Sequence, residues 1–200
     1  ELRRVIPVVA SLAERISIPI SVDTSKAIVA REAIAAGASI INDVTALRGD
    51  PEMLSVVRDT GAGVCIMHMK GTPQTMQREA VYQDVAAEVM AFLLSRCREL
   101  ESAGIPSDRI AIDPGLGFAK TPLHNWEVIN GLQSLRALGY PLVIGHSRKR
   151  FIREIVGNDS QAILWATVGV GLLLAAGSTD ILRIHDVRAM RDVLNLWKKH

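Results

Sequence analysis

The feature that most constrains this chain of 200 residues is its regular alternation of short β-branched segments with helical patterns. Such alternation is typical of βα units that build a parallel sheet. An open, doubly wound sheet and a (β/α)8 barrel both have this element order. Six segments are predicted to be strands: Ile18–Asp23, Ser39–Val44, Gly63–Met69, Ile110–Asp113, Pro141–Gly145 and Asp180–Asp186.

Polar residues at the ends of the predicted strands separate these two folds. In a barrel, all strands end on the one face that carries the active site, whereas an open sheet uses only the strands near its switch point. No glycine-rich nucleotide-binding motif follows the first strand, which further weakens the open sheet. We therefore predict an α/β fold, a (β/α)8 TIM barrel. The strand-end residues are Asp23, Asn42 with Asp43, His68, Asp113, His146 with Ser147, and His185 with Asp186.

The length of the chain adds a prediction about completeness. A barrel of this kind usually needs about 250 residues, and six βα units are recognisable in the 200 residues here. We expect residues 1–200 to form one partial domain that holds six of the eight units, the third to the eighth. The first two units would then precede Glu1.

Composition excludes several classes of function. The 23 basic and 21 acidic side chains leave a formal charge of +2, which argues against the strongly basic surface of a nucleic-acid-binding protein. Aromatic residues make up only 4%, too few for stacking on single-stranded nucleic acid. The two cysteines, Cys65 and Cys97, form no disulfide framework and indicate a reducing compartment, so we expect a cytoplasmic protein.

Two helix predictions can be compared directly with the structure. Asp50 and Pro51 match the N-cap and first position of a helix. The segment Ala162–Gly177 is almost entirely apolar, but its sixteen residues fall short of the roughly 20 that span a bilayer. We predict a buried helix there that packs closely through Gly169 and Gly171, and no membrane partner.

Acidic, amide and basic side chains at the strand ends suit a flat, anionic ligand. Asp23, Asn42 and Asp113 would form a polar floor, and a carboxylate accepts two parallel N–H bonds from an amidine-like edge. Alternation places Arg183 and His185 on the same side of their strand, as expected for a phosphate clamp.

Each of these motifs also has a purely structural interpretation. Asp23 can stabilise a helix N-terminus, and Asn42 can be satisfied by a loop instead of a ligand. Residues 113–118 can be an ordinary βα turn. The basic run 148–150 can be a solvated helix face.

The ordered set of motifs resembles the dihydropteroate synthase family over essentially the whole chain. The motifs are SVDTS, IINDV, Met67-His68-Met69 followed by residues 71–77, DPGLGF, SRK and RIHDV. The resemblance implies a homodimeric barrel enzyme of folate biosynthesis and a sulfonamide target. It implies a transferase that condenses 6-hydroxymethyl-7,8-dihydropterin diphosphate with p-aminobenzoate, giving 7,8-dihydropteroate and pyrophosphate, with Mg²⁺ as cofactor.

The resemblance also implies a role for individual residues. Asp23, Asp113 and Lys149 would be catalytic. Ser147 and Lys149 would contact p-aminobenzoate, while Arg183 and His185 would bind the diphosphate. The family's metal-binding Asn lies in the first strand, so no metal ligand is expected in this chain. The residues around the pterin would be Asp23, Asn42, Met67, Asp113, Phe118, Gly145 and Lys149.

Three other functions fit parts of the pattern. A pterin-binding domain that transfers a methyl group from methyltetrahydrofolate to a corrinoid protein shares the polar floor, but its substrate has no diphosphate for Arg183 and His185. A metal-dependent hydrolase would use residues near strand ends, although the chain contains no HExxH or HxH motif. These residues are His68, His146, His185 and Asp186. A non-catalytic barrel that binds pterin or acts as a scaffold is the third.

Overall fold

The computed structural model describes residues 1–72, 74–76, 78–177 and 179–198. They form two compact units. Unit 1 comprises Glu1–His68 and Phe92–Ile112, and unit 2 comprises Met69–Ala91 and Asp113–His200. The strands are β1 (Ser21–Asp23), β2 (Ile40–Asp43), β3 (Gly63–Met67), β4 (Ile110–Asp113), β5 (Val143–Ile144) and β6 (Ile181–Leu182). The helices are α1 (Leu2–Ala13), α2 (Ala27–Ala35), α3 (Met53–Thr60), α4 (Val85–Ser102), α5 (Pro122–Asn130), α6 (Leu132–Arg136), α7 (Arg150–Val156), α8 (Ser160–Ala176) and α9 (Val187–Trp197).

The sheet of unit 1 has its strands in sequential order. β1, β2, β3 and β4 are neighbours in that order, and the first three are parallel. A doubly wound sheet would reverse its order at a switch point, whereas sequential neighbours are the arrangement of a barrel wall. The register places Asp23 opposite Asn42, so the carboxyl ends of β1 and β2 are level.

Side-chain size explains how unit 1 packs. Ile41 and Ile66 are fully buried, as expected for β-branched residues in a sheet that is covered by helices. Helix α2 presents Ala30 and Ala33 among its buried residues. It packs against both α1 and α3, and small side chains allow helices to approach closely.

Unit 2 contains the second, shorter pair of strands. β5 and β6 are parallel, and the pairing continues past β6, where the Arg183 N–H donates to the Ile144 carbonyl at 2.9 Å. Phe151 of α7 is buried and meets the Trp126 ring of α5 edge to face, with 5.4 Å between ring centroids. This contact ties α5 to α7 in the core of the unit.

Five of the six predicted strands are longer than the observed ones, and one predicted helix starts too early. Side-chain hydrogen bonding explains two of these differences. The strand predicted to extend to Asp186 ends at Leu182, and polar contacts fix the residues that follow it. Helix α3 begins at Met53, not at Pro51. The Asp50 carboxylate instead accepts the N–H groups of Glu52 and Ala27, at 3.0 and 2.8 Å, and so stabilises the turn before the helix.

Helix α8 is only partly buried, which corrects the prediction for residues 162–177. An added Cβ at Gly171 would lie 2.6 Å from Met190 Sδ, so the close packing predicted there is confirmed. Gly169 faces open space, and the prediction for it was wrong. Trp165 and Leu173 share its exposed side, with 57% and 65% of their surface accessible.

An aspartate marks the start of α8. Asp159 Oδ1 accepts the Ala162 N–H at 2.8 Å, which caps the helix after the turn that separates it from α7. Helices α7 and α8 pass a length and composition test for a membrane span only as a pair bent by 118°. In the part of the chain that the structure describes, no single helix is long and apolar enough to cross a membrane.

Candidate functional site

The carboxyl ends of β1 and β2 hold an acid–amide pair in unit 1. Asn42 Nδ2 donates to Asp23 Oδ2 at 3.0 Å. Asn42 is buried, whereas Asp23 is exposed at the end of its strand. Because the amide holds one carboxylate oxygen in place, Asp23 presents a fixed, accessible acceptor.

Asp43, next to this pair, accepts hydrogen bonds from the turn that follows it, including one from the Thr45 hydroxyl at 2.8 Å. Its carboxylate accepts the N–H groups of Thr45 and Leu47, at 2.8 and 3.0 Å. Ala46 and Leu47 have φ values of 55° and 59°, a backbone conformation that residues other than glycine rarely adopt. The turn therefore needs the hydrogen bonds to Asp43. Burial raises the pKa of Asp43, and these hydrogen bonds oppose the rise. Asp43 is therefore a loop-stabilising residue.

Arg96 of α4 supports the same turn from a distance in sequence. Its Nε donates to the Ala46 carbonyl at 2.6 Å, and its Nη2 donates to the Leu47 carbonyl at 3.1 Å. The sequence offers no signal for this contact, because Arg96 looks like any charged residue on a helix.

The end of β3 contributes core residues. Met67 is buried as the last residue of the strand, and His68 is buried beside it. The His68 ring meets Phe92 edge to face, with 5.1 Å between centroids. Pro73 and Gln77, which belong to the motif 71–77 that follows, lie outside the described residues.

Asp113 is the centre of a cluster of charged side chains in unit 2, together with Lys120, Lys149 and Arg183. Its Oδ1 accepts the Gly115 N–H at 2.7 Å, and its Oδ2 accepts Arg183 Nη2 at 3.3 Å. The carboxylate is buried, which raises its pKa, while Arg183 and the Gly115 N–H oppose the rise. Gly145 allows the contact, because a Cβ there would lie 2.9 Å from Arg183 Nη2.

Lys120 lies under the loop that follows Asp113, and the sequence motifs did not predict it as a site residue. Only 3% of it is exposed, and its ammonium donates to the carbonyls of Gly115 and Phe118, both at 3.1 Å. Burial lowers the pKa of Lys120 to about 7, although Asp113 opposes this. A lysine that follows a glycine-rich turn is the only signal in the sequence.

Lys149 closes the same loop from the other side. Its ammonium donates to the Leu116 carbonyl and lies 4.5 Å from the centre of the half-buried Phe118 ring. Its side chain runs over Gly117, where a Cβ would lie 3.0 Å from Lys149 Cδ. Burial lowers the pKa of Lys149 to about 8, with Asp113 raising it and Arg183 lowering it.

Ser147 and His185 form a second polar contact in unit 2. Ser147 Oγ accepts the His185 N–H at 3.2 Å and lies 2.9 Å from His185 Nδ1. Ser147 is buried and His185 is exposed. Arg183 and His185 thus have separate partners, Asp113 and Ser147, after the end of β6.

The structure brings most of the predicted residues into two groups. Unit 1 holds Asp23 with Asn42, while Met67 lies at the end of β3. Unit 2 brings together Asp113 and Arg183, Lys149 and Phe118, and Ser147 and His185. Within residues 1–72, 74–76, 78–177 and 179–198, no group of three or more His, Cys, Asp or Glu side chains is placed to hold a metal ion.

Comparison with known proteins agrees with this arrangement. Residues 1–185 match the sequence profile of a family described as pterin binding enzyme. A dihydropteroate synthase of Haemophilus influenzae is 40% identical over 199 residues, which cover 99% of this chain and 72% of that protein.

Solved structures match the chain over its full length. The dihydropteroate synthase of Xanthomonas albilineans in complex with 7,8-dihydropteroate has a TM-score of 0.91 and 43% identity, covering 100% of this chain and 73% of that one. The Yersinia pestis enzyme in a sulfonamide complex has a TM-score of 0.95 and 34% identity, covering 99% and 72%. These matches confirm the predicted α/β barrel class.

Proposed function

Because the chain belongs to the dihydropteroate synthases of the pterin-binding enzyme family, we infer that it condenses 6-hydroxymethyl-7,8-dihydropterin diphosphate with p-aminobenzoate. The products are 7,8-dihydropteroate and pyrophosphate. The observation that carries this function is the charge of the unit 2 cluster. Lys120, Lys149 and Arg183 surround the single carboxylate of Asp113, so the cluster carries more positive than negative charge when all three cations are protonated.

We propose that Asp113 binds the amino-pyrimidinone edge of the pterin. A buried carboxylate can accept two parallel N–H bonds from such an edge, and hydrogen bonds to charged groups are stronger than neutral ones. Asp23 and Asn42 would bind a further polar part of the ring, since the amide already orients the acid. Met67, Phe118 and Gly145 would shape the apolar slot around the ring.

The excess positive charge suits the leaving diphosphate. Arg183 and His185 would bind its oxygens, Arg183 through the N–H groups that Asp113 does not use. As the C–O bond breaks, positive charge develops on the dihydropterin and negative charge on the diphosphate. Asp23 and Asp113 would stabilise the first, and Arg183 with His185 the second, because preorganised charges act most strongly where charge develops.

p-Aminobenzoate would bind at Ser147 and the stem of Lys149. Its neutral aniline nitrogen then attacks the methylene carbon, forms the new C–N bond and loses a proton. Lys149 would also donate to the pterin carbonyl side. We infer that the reaction needs no side-chain nucleophile, because the aniline itself supplies the electron pair.

The described residues do not fit a magnesium site built by the protein alone. Both oxygens of Asp113 have protein partners, Gly115 and Arg183, and no cluster of three potential ligands lies among the described residues. Mg²⁺ usually keeps several waters and binds through one or two carboxylates together with substrate phosphates. We propose that the reaction requires Mg²⁺ bound together with the substrate phosphates, and titrating Mg²⁺ against a fixed concentration of pterin diphosphate tests this.

The first experiment measures pyrophosphate release by the purified protein, expressed with any sequence that its gene encodes ahead of Glu1. Pterin diphosphate and Mg²⁺ are supplied, and p-aminobenzoate is added or withheld. We expect release that depends on p-aminobenzoate and is inhibited competitively by a sulfonamide. Arg183→Met should abolish most of the release, while Arg150→Met, which removes an exposed cation paired with Glu154, should not.

The same assay distinguishes the other functions. Pterin binding without pyrophosphate release would contradict the synthase and favour a corrinoid methyltransferase domain or a scaffold. Release without p-aminobenzoate would indicate a hydrolase.

We also propose that the protein is a homodimer through α8 and α9. Trp165 and Leu173 on α8, and Leu196 on α9, are exposed apolar side chains within unit 2. Apolar patches of this kind are typical of protein interfaces. Trp165→Glu should convert the dimer to a monomer in light scattering, and a wild-type protein that is already monomeric would contradict the proposal.

A cytoplasmic location is the last part of the proposal. Cys65 and Cys97 are both buried thiols, and a reducing compartment keeps thiols in that form. Fractionation of the cells that produce the protein would test this location, and recovery outside the cytoplasm would contradict it.

A further inference from the structure

The loop of residues 146–149, between β5 and α7, has a conformation that needs support. It carries Ser147 and Lys149, two of the residues assigned to substrate above. Between them, Arg148 has φ +56°, in the left-handed region that favours glycine. Such a conformation persists only where the surroundings hold it in place.

Thr167 of α8 supports this loop with two groups. Its Oγ1 accepts the backbone N–H of Arg148 at 3.2 Å. Its carbonyl lies 3.0 Å from His146 Nε2. A carbonyl can only accept, so this imidazole nitrogen carries the proton and donates. Thr167 is 2% exposed, so both contacts are shielded from water.

Glycine at position 171 makes the imidazole contact possible. Gly171 lies one helical turn after Thr167, and a Cβ there would lie 3.1 Å from His146 Nε2. The other ring nitrogen, His146 Nδ1, is buried with no hydrogen-bond partner among the residues that the structure describes. The bond to Thr167 is therefore the one polar contact described for this ring.

Contacts from the segment after β6 hold the opposite side of the loop. The Arg148 guanidinium forms two parallel hydrogen bonds to Asp186, at 2.8 and 2.7 Å. Ser147 Oγ meets His185. With its guanidinium fixed by Asp186 and its N–H fixed by Thr167, Arg148 keeps the backbone turn that separates Ser147 from Lys149.

We propose that Thr167 is a positioning residue, which holds the loop of residues 146–149 so that Lys149 lies against Leu116 and Phe118. Nothing in the assigned chemistry requires Thr167 to touch substrate. Its hydroxyl acts through the Arg148 backbone and its carbonyl through His146. The kinetic consequence rests on the proposed function, whereas the position of Lys149 does not.

The test compares Thr167→Val, Thr167→Ser and a matched control, Thr179→Val. Valine has the shape of threonine but no hydroxyl, whereas serine retains it. Thr179 is in the same unit, and its buried hydroxyl has no hydrogen-bond partner among the described residues. Circular dichroism melting checks that all three variants fold.

The first readout does not need an active enzyme. Lys149 is labelled with an amine reagent over a range of pH, and the labelled fraction is measured by mass spectrometry. The wild-type midpoint should lie near the lowered pKa of about 8. In Thr167→Val the loop is released, so the midpoint should move toward the ordinary lysine value of about 10.4. Thr167→Ser and Thr179→Val should keep the wild-type midpoint.

The second readout is kcat/KM for p-aminobenzoate. We expect Thr167→Val to lower it about tenfold, the effect of one buried hydrogen bond, and Thr167→Ser to restore most of it. An unchanged labelling midpoint in Thr167→Val overturns the proposal, whatever the kinetics. A shifted midpoint in a protein without synthase activity keeps the positioning role and refutes the proposed function instead.

Discussion

The two units place acidic residues at strand ends in opposite electrostatic surroundings. In unit 1, Asp43 is satisfied by backbone N–H groups two and four residues further along the chain. In unit 2, Asp113 is hydrogen-bonded to Arg183, seventy residues away in the sequence. The charges of Lys149 and Lys120 also act to lower its pKa. Local contacts close a turn, whereas contacts between distant residues assemble a site.

The balance of charge separates Asp43, a structural acid, from Asp113, the acid proposed to bind the pterin. Asp43 has no cation among the groups that shift its pKa, and its partners are Thr45 and Leu47. The unit 2 cluster holds more cations than carboxylates, and the repulsion between Lys149 and Arg183 contributes to lowering the pKa of Lys149. An anionic ligand would relieve that repulsion.

The largest effect that would sharpen this comparison is expected for Lys149→Ala. Removing a preorganised donor from a site where charge develops lowers turnover by about 100-fold to 1,000-fold. Thermal stability should change little, because the side chain is only partly buried. Steady-state kinetics and melting together test this, and a large loss of stability with normal turnover would contradict it.

The pH dependence of the reaction tests the charge of the same lysine. An ammonium group is charged below its pKa, so kcat/KM for the pterin diphosphate should fall as pH rises through about 8. In Lys149→Arg this decline should disappear, because arginine stays charged. A decline that persists in the variant would assign it to another group.

Asp113→Asn should weaken pterin binding by about 1.5–3 kcal/mol, the range for hydrogen bonds to charged groups. Calorimetry with the pterin substrate would measure this. Asp192→Asn, an exposed acid in the same unit, is the matched control and should bind normally. Equal affinity in Asp113→Asn and the control would remove Asp113 from the pterin site.

Asp43→Asn should have the opposite effect: it should lower the free energy of unfolding without weakening pterin binding. The amide nitrogen of asparagine cannot accept an N–H, so one of the bonds to Thr45 and Leu47 is lost, at about 1–3 kcal/mol of unfolding free energy. Denaturant titration measures the loss. Weaker pterin binding by the folded variant would show that Asp43 also serves the ligand.

The last expected effect is a dependence of stability on pH, which comes from Lys120. Its pKa is about 7 in the folded protein, below its ordinary value, so the unfolded chain binds more protons between about pH 7 and about pH 10.4. The free energy of unfolding should therefore rise with pH in this window. Lys120→Met should lose that slope, about 1.4 kcal/mol for each pH unit of the window, and an identical slope in urea titrations of both proteins would contradict the assignment.

Residues at strand ends were predictable because a parallel sheet aligns them. The β-branched segments set the six strands, and the register that places Asp23 opposite Asn42 follows from two neighbouring parallel strands. The turn after Asp113 was also predictable from its two glycines. Gly115 and Gly117 both have positive φ, a conformation that glycine adopts readily.

The partners of the basic residues were not predictable, because the fold assigns them over long sequence distances. Three consecutive cations take three different environments. Arg148 binds Asp186, Lys149 turns to the loop after Asp113, and Arg150 is exposed on α7 beside Glu154. Periodicity alone does not distinguish them, since each contact depends on an element elsewhere in the chain.

The contact between Lys149 and the Leu116 carbonyl has a consequence for measured affinities. A substrate that binds to the Lys149 ammonium must first displace this hydrogen bond and the contact with the Phe118 ring. The observed binding free energy is then the difference between two sets of contacts with the same lysine. A dissociation constant for the pterin therefore understates how strongly the protein holds it.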